Sequence, residues 1–296
     1  MNVFVTGATG FVGRQLCAAL SRAGHGVIAL VRKGSEAKLP QSDSITPVSG
    51  DLFSPTLPGL LDGCQAVIHL VGIIREFPGR EISFERLHVD ATAAILAATK
   101  QAGIRRYLHM SANGTRQQAV SNYHQTKWRA EELVRNSDLD WTIFRPSLIY
   151  GREDQFISML VRFIRLLPLV PVIGDGQYRL QPVPVEQIAS GFASALDKPV
   201  ALHKTYHCGG ADCLSYNQVL DLVAAAIGKR PPLKLRQPLC LMRPTVSLLQ
   251  RFPFFPLTSD QLQMLVEGNC CDTRDWLQDL ELKPQPLHEG LEYLSA

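Results

Sequence analysis

Apolar runs of strand length alternate with helix-length stretches through the first half of this chain, and no other feature restricts its fold as tightly. NVFVTG (2–7) is a short β-branched run ending in glycine. RQLCAALSRAG (14–24) has apolar residues at helical spacing and stops at Gly24, a residue suited to the position just past a helix. GVIALVR (26–32), AVIHLVG (66–72) and RYLHMS (106–111) read as further strands. HVDATAAILAATKQAG (88–103) and YHQTKWRAEELVRNS (123–137) read as helices, and DWTIFRPSLIYG (140–151) as a strand leaving toward a loop. Runs that are apolar throughout are buried on both faces, as in parallel sheets whose strands are joined by helices. An α/β fold with a doubly wound parallel sheet is expected.

TGATGFVGR (6–14) lies between the first strand and the first helix. Gly7 allows a tight turn, Gly10 lets backbone N–H groups approach a diphosphate, and Gly13 permits close packing of helix on strand. The anion then sits at the positive end of the helix. In this position the glycines predict a Rossmann-type dinucleotide site. The second strand ends in Arg32 and Lys33 rather than an acidic residue. An arginine suits the 2′-phosphate of NADP(H), through its charge and planar donors. NADP(H) is therefore favoured over NAD(H), the other nicotinamide cofactor such a turn accepts. In GDL (50–52) the Asp51 carboxylate is placed to take an adenine amino group.

SNYHQTK (121–127) sets Tyr123 four residues ahead of Lys127. On a helix these positions share a face about one turn apart, so a phenol and an ammonium can meet one ligand. Chance alone gives roughly 0.2 such pairs in a chain of this composition, so the surroundings decide. A free phenol titrates near pH ~10, and a neighbouring ammonium is expected to favour the phenolate.

The balance of 30 basic to 27 acidic residues, +3 overall, is too mild for a nucleic-acid protein, and no dense basic run appears. The seven cysteines form neither a CxxC pair nor a zinc spacing, so no metal site is expected. Adjacent Cys270 and Cys271 read as reduced thiols of a cytoplasmic protein. A strand beginning at Asn2 leaves no room for a signal or transit peptide, and no run of ~18 apolar residues suggests a membrane-spanning helix.

TGATGFVG (6–13), GDL (50–52), HLVG (69–72), YHQTK (123–127) and RPSLIYG (145–151) together resemble the extended and atypical short-chain dehydrogenase/reductases. GDGQYRLQPVPVEQIA (174–189) is similar to the branch containing the NADPH-binding accessory subunit of respiratory complex I and its bacterial relatives. Sugar-nucleotide epimerases and NmrA-like redox sensors are also similar. The resemblance implies a Rossmann domain over 1–150 and a smaller mixed α/β substrate domain over 151–296, with segments such as 184–208 packing back on the first. It implies cofactor contacts from Gly7, Thr9, Gly10, Phe11, Val12, Gly13, Arg32, Asp51, Leu52, Val71, Gly72 and Pro146. Tyr123 would give or take the proton, and Lys127 would bind the nicotinamide ribose. The family's hydroxyl at the end of the fifth strand falls here in HMSANG (109–114), where Ser111 is followed by Ala112. If the family position is that of Ala112, Asn113 or Thr115 must supply the donor that polarises a carbonyl.

Two function classes follow. One is an NADP(H)-dependent oxidoreductase or epimerase/dehydratase-like enzyme acting on a small molecule. The other is a non-catalytic NADPH-binding protein for assembly or redox sensing. ISMLVRFIRLLPLVPVI (157–173) and LCLMRPTVSLLQRFPFFPL (239–257) are apolar but interrupted by arginine and proline. They read as packing of the smaller domain, or as an apolar substrate pocket or a contact with a membrane surface or membrane complex. A monomer or homodimer is expected. SYNQVLDLVAAAIGKRP (215–231) reads as an amphipathic helix from Ser215 to Gly228.

Overall fold

The computed structural model describes residues 1–252, 255 and 257–294, so residues 253, 254 and 256 of the second apolar segment lie outside the described residues. In chain order the elements are β1 (Asn2–Thr6), α1 (Phe11–Arg22), β2 (Gly26–Val31), β3 (Ile45–Ser49), β4 (Ala66–His69), α2 (Ala91–Gln101), β5 (Arg106–Met110), α3 (Asn122–Arg135) and β6 (Asp140–Pro146). Then come β7 (Ile149–Tyr150), α4 (Phe156–Leu166), β8 (Leu169–Ile173), β9 (Arg179–Leu180), β10 (Val183–Pro184), α5 (Val185–Asp197) and β11 (Lys204–Cys208). The last are β12 (Leu214–Ser215), α6 (Tyr216–Ala226), β13 (Leu233–Gln237), α7 (Leu239–Leu249), α8 (Ser259–Glu267), α9 (Arg274–Asp279) and α10 (Leu287–Gly290).

The chain divides into two compact units. The first comprises Met1–Pro146, Val185–Cys208 and Thr273–Leu282. Its seven strands form one parallel sheet in the order β11-β6-β5-β4-β1-β2-β3. This is the Rossmann-type sheet the apolar runs predict. Val3, Phe4 and Val5 of β1 and all of β4 are buried, because helices cover both faces. β3 escapes prediction because it is an edge strand: only Ile45 is buried, and Pro47 is tolerated where one side of the ladder is unpaired. On α5, Gly191 makes room for Trp276 of α9, since a Cβ there would lie 2.3 Å from the indole.

The second unit comprises Ser147–Pro184, Gly209–Asp272 and Lys283–Ala296. The expected single strand over 140–151 is two: β6 ends at Pro146 in the first unit, and β7 pairs with β10 in the second. α4, α6 and the strand β8 enclose a core of Ile157, Leu160, Val170, Val172, Leu220 and Val223. α6 has its start at Ser215, whose hydroxyl accepts from Gln218 N–H while Gln218 returns the bond, and Gly228 has φ +69° just past its end.

Cys213 and Cys270 form a disulfide with Cα atoms 5.8 Å apart, which corrects the expectation of a reduced thiol at Cys270. A separation of 57 residues hid the pair, and β9 brings the two together. Arg179 of β9 donates to Cys213 O from its guanidinium, and its backbone carbonyl accepts from Asn269 N–H. Cys271 keeps its thiol, pushed up to about 12 by burial. Among the described residues no helix is long and apolar enough to cross a membrane.

Candidate functional site

The strand order reverses between β1 and β4, with Thr6 of β1 beside His69 of β4 at their C-terminal ends. Chains leaving such a point diverge, and doubly wound sheets bind ligands in the crevice so formed. The turn after β1 holds the predicted glycines. Gly7 has φ +75°, and a Cβ on it would come 3.2 Å from Leu70 C and Val71 N, so the turns after β1 and β4 touch. Gly13 is closer still: its Cβ would lie 2.2 Å from Gly7 O and 2.7 Å from Ala8. The glycine therefore packs α1 against its own turn. Thr9 and Phe11 are half-buried there, and Val12 is buried.

Gly10 caps α1 in extended backbone, with no side chain satisfying the first-turn amides and no acidic residue beside them. A Cβ on Gly10 would meet only Gly7 O, at 3.2 Å, and would project into the space above those amides. The turn thus fits the diphosphate of a dinucleotide. Gly10→Val keeps an allowed backbone, φ −77°, and is expected to fold while nucleotide affinity drops at least tenfold. Calorimetry giving unchanged affinity would remove the assignment.

Ser121 accepts from His124 N–H and starts α3, which carries Tyr123, Lys127 and Glu131 on one buried face. Lys127 is 2% exposed, and its Nζ donates to Met110 O at 3.0 Å. A Cβ on Gly72 would come 2.9 Å from Nζ, so the glycine lets the ammonium sit against the backbone there. Burial pulls Lys127 down to about 8, with Glu131 opposing the shift. Burial pushes the Tyr123 phenol up to about 12, and this corrects the expectation of an ammonium-favoured phenolate. Desolvation outweighs the neighbouring charge, so at neutral pH Tyr123 holds its proton.

Three histidines surround the pair. His69 and His109 are register partners on β4 and β5, and their rings stack at 5.6 Å. Thr6 Oγ1 lies 2.7 Å from His69 Nδ1. His88 falls on a π-helical segment, Glu85–Asp90, immediately before α2, where an uninterrupted α-helix is predicted. His88 Nδ1 lies 2.9 Å from Thr126 Oγ1, and its Nε2 lies 3.1 Å from Ile73 O and 3.2 Å from Ile73 N. His88 thereby ties the turn after β4 to α3, and its ring meets Tyr123 edge-on at 5.3 Å. Burial, and then the Lys127 charge, pull His69 down to about 3 and His88 to about 2. The same causes hold His109 well below the ordinary range. Lys127 is therefore ringed by neutral imidazoles. Among the described residues no group of His, Cys, Asp or Glu gathers as metal ligands.

Glu131, fully buried, anchors the far end of the α3 face. Arg145 of β6 grips it with two bonds, 2.8 and 2.6 Å, and Arg135 adds another. Both guanidinium groups lie over the Trp128 ring.

Other predicted residues stand apart. Arg32 follows β2, which runs parallel beside β1, so it emerges at the same end of the sheet as the glycine turn, exposed. Asp51 is exposed after β3 and accepts from Phe53 N–H at 2.8 Å, holding its own turn; Leu52 is half-buried against the core of the first unit. Ser111 is buried, and its hydroxyl donates to Thr115 Oγ1 at 3.4 Å. Asn113 N–H donates to Pro146 O, while its Oδ1 lies 2.9 Å from His207 Nδ1. No sequence motif singles out His109 or Glu131. The signal for the histidines lies in register instead: HL and HM close two neighbouring strand runs, which places both rings at one level of the sheet.

A family model described as NAD(P)H-binding matches residues 7–158, and one described as the RmlD substrate binding domain matches residues 112–252. The chain is similar to the NADH dehydrogenase (ubiquinone) 1 alpha subcomplex subunit 9, mitochondrial, of Arabidopsis thaliana, 32% identical over 96% of this chain and 72% of the relative. It is also similar to a ceramide reductase of Caulobacter vibrioides, 30% identical over 78% of this chain and 72% of that protein. Among solved structures, MoeE5 in complex with UDP-glucuronic acid and NAD shares the fold, with a TM-score of 0.77 at 24% identity over 98% of this chain and 96% of that one.

Proposed function

This chain belongs to the NAD(P)H-binding family of extended short-chain dehydrogenase/reductases, and on that premise we propose that it is an NADP(H)-dependent reductase of a lipid-like carbonyl compound. The observation that carries the reading is a protonated, buried Tyr123 on the same helix face as an ammonium seated against Gly72. The bound nicotinamide cofactor supplies hydride. Tyr123 supplies the proton to the developing alkoxide oxygen, a role that a phenol held at about 12 can fill at neutral pH. Lys127 carries the positive charge that favours the phenolate left behind and, as the resemblance implies, holds the ribose. His88 keeps the turn at Val71 and Gly72 in place against both. The ceramide reductase among the relatives supports an apolar substrate.

Arg32 is proposed to meet the 2′-phosphate. Arg32→Ala is then expected to weaken NADPH by about 1.5–3 kcal/mol and leave NADH almost unchanged. Equal loss for both cofactors in a titration would defeat the assignment.

A second reading has its own support. Ser111 donates its hydroxyl to Thr115 at 3.4 Å and is followed by Ala112, a departure from the family's serine run that favours a site without a carbonyl-polarising donor. With the mitochondrial subunit among its relatives, a non-catalytic NADPH-binding role in assembly or redox sensing is the alternative. Mass spectrometry of the nucleotide retained on purification, followed by NADPH oxidation with long-chain ketones and aldehydes, separates the two. Turnover supports the reductase; bound NADPH that no carbonyl compound consumes supports the alternative.

A further inference from the structure

The second unit carries a surface that the reductase reading does not use. Two stretches, 156–173 and 228–259, hold eight of the 30 basic residues and none of the 27 acidic ones, in a chain whose charges otherwise lean acidic. They are also neighbours in space. β8 and β13 pair in parallel with Leu169 opposite Leu233 and Pro171 opposite Leu235. Val170 and Val172 point into the core, so the alternate residues form the outer face of this two-stranded sheet. That face is apolar and open: Leu169 is 45%, Leu233 69% and Leu235 49% exposed. Leu166, 68% exposed, ends α4 just before it, and Pro238 leads from β13 straight into α7. On α7, Leu241 and Leu248 are two turns apart on one stripe and are 64% and 56% exposed.

Arginines lie beside these leucines at the end of α4, where Arg162 and Arg165 are one turn apart on its exposed side, next to Leu166. Arg243 is exposed on α7, on the side away from Leu241. Lys234 and Arg236, the register partners of Val170 and Val172, lie on the other side of the strand pair, where Asp221 holds Lys234 at 2.7 Å. A soluble protein gains nothing from so many exposed leucines at one place, and such patches mark interaction surfaces. The patch combines apolar side chains with guanidinium groups and has no acidic residue of its own. A nucleic acid would match the charge but offer nothing to the leucines. A bilayer of anionic phospholipid matches both, with acyl chains below the leucines and phosphates at the arginines.

We propose that this face, built from the end of α4, the β8–β13 sheet and α7, docks on an anionic membrane surface. The inference stands on charge and exposure in the second unit and does not depend on the reaction assigned to the first. Flotation of the full chain with phosphatidylglycerol-containing vesicles tests it against pure phosphatidylcholine vesicles. Binding is expected to the anionic vesicles only, and to fall as salt shortens the range of the charges. Arg162→Gln with Arg165→Gln is expected to weaken binding roughly 25-fold, about fivefold for each charge removed near the surface. Leu233→Ser with Leu241→Ser is expected to abolish flotation while the circular dichroism spectrum and the NADPH affinity stay unchanged. The salt series needs no variant, so a misfolded substitution cannot shield the idea. Absence of flotation, equal flotation with both vesicle types, or a dimer in light scattering that the leucine variants dissolve would each overturn it, the last by assigning the face to a second copy of this chain.

Discussion

Tyr123→Phe is expected to lower turnover by about two to four powers of ten while NADPH affinity stays within about threefold, the usual consequence of deleting a positioned proton donor. The substitution removes one oxygen from a ring packed edge-on against Phe84 and His88, so the fold has no reason to change. A second signature separates proton transfer from mere packing. Lys127 loses its proton near pH 8, and the charge that favours the phenolate disappears with it. The free protein's kcat/KM is therefore expected to be flat below pH 8 and to fall above it. In Lys127→Met that fall is expected to vanish, at a uniformly low rate and with weakened cofactor binding. Full activity in Tyr123→Phe, or a pH profile indifferent to Lys127, would return the protein to the NADPH-binding alternative.

The parts of this site that the sequence made legible are those set by local rules. Glycines at fixed offsets specify a turn because their backbone demands it: Gly7 needs positive φ, and Gly13 has no room for a Cβ. Tyr123 and Lys127 share a face because helix periodicity requires it. The apolar runs of β1, β2 and β4 reveal themselves because both faces are covered. What escaped depends on contacts between distant residues. The Glu131–Arg145 pair joins α3 to β6, and Cys213–Cys270 closes 57 residues. Neither pairing has a spacing rule. The error over the Tyr123 proton has the same origin, because the neighbouring ammonium is visible in the sequence and the burial that outweighs it is not. β3 was missed for the opposite reason: an exposed edge strand lacks the apolar run that betrays the others.

The buried histidines carry a consequence for the whole molecule. His69, His88 and His109 all lie below the ordinary imidazole value of 6.5 in the folded chain, through burial first and the Lys127 charge second. Once unfolded, each reverts to about 6.5. Between that value and the folded one the unfolded chain binds protons that the folded chain refuses. Stability is thus fully present above pH 6.5 and drains as pH falls, by about 1.4 kcal/mol per pH unit for each histidine. Three together give a slope of roughly 4 kcal/mol per unit, large against a typical total of about 5–15 kcal/mol. Urea midpoints measured between pH 7 and 5, above the range where most carboxylates titrate, are expected to drop accordingly. His109→Phe is the test of cause. Among the described residues neither ring nitrogen of His109 has a hydrogen-bond partner, so a phenyl ring gives up no bond there and keeps the stack between Tyr107 and His69. The variant is expected to match the parent at pH 7 to within about 1.5 kcal/mol, the usual cost of a volume-conserving swap, and to lose about one third of the slope. A parent whose midpoint is indifferent to pH in this window, or a variant with an unaltered slope, would mean that the three rings accept protons in place, and the neutral ring around Lys127 would have to be abandoned.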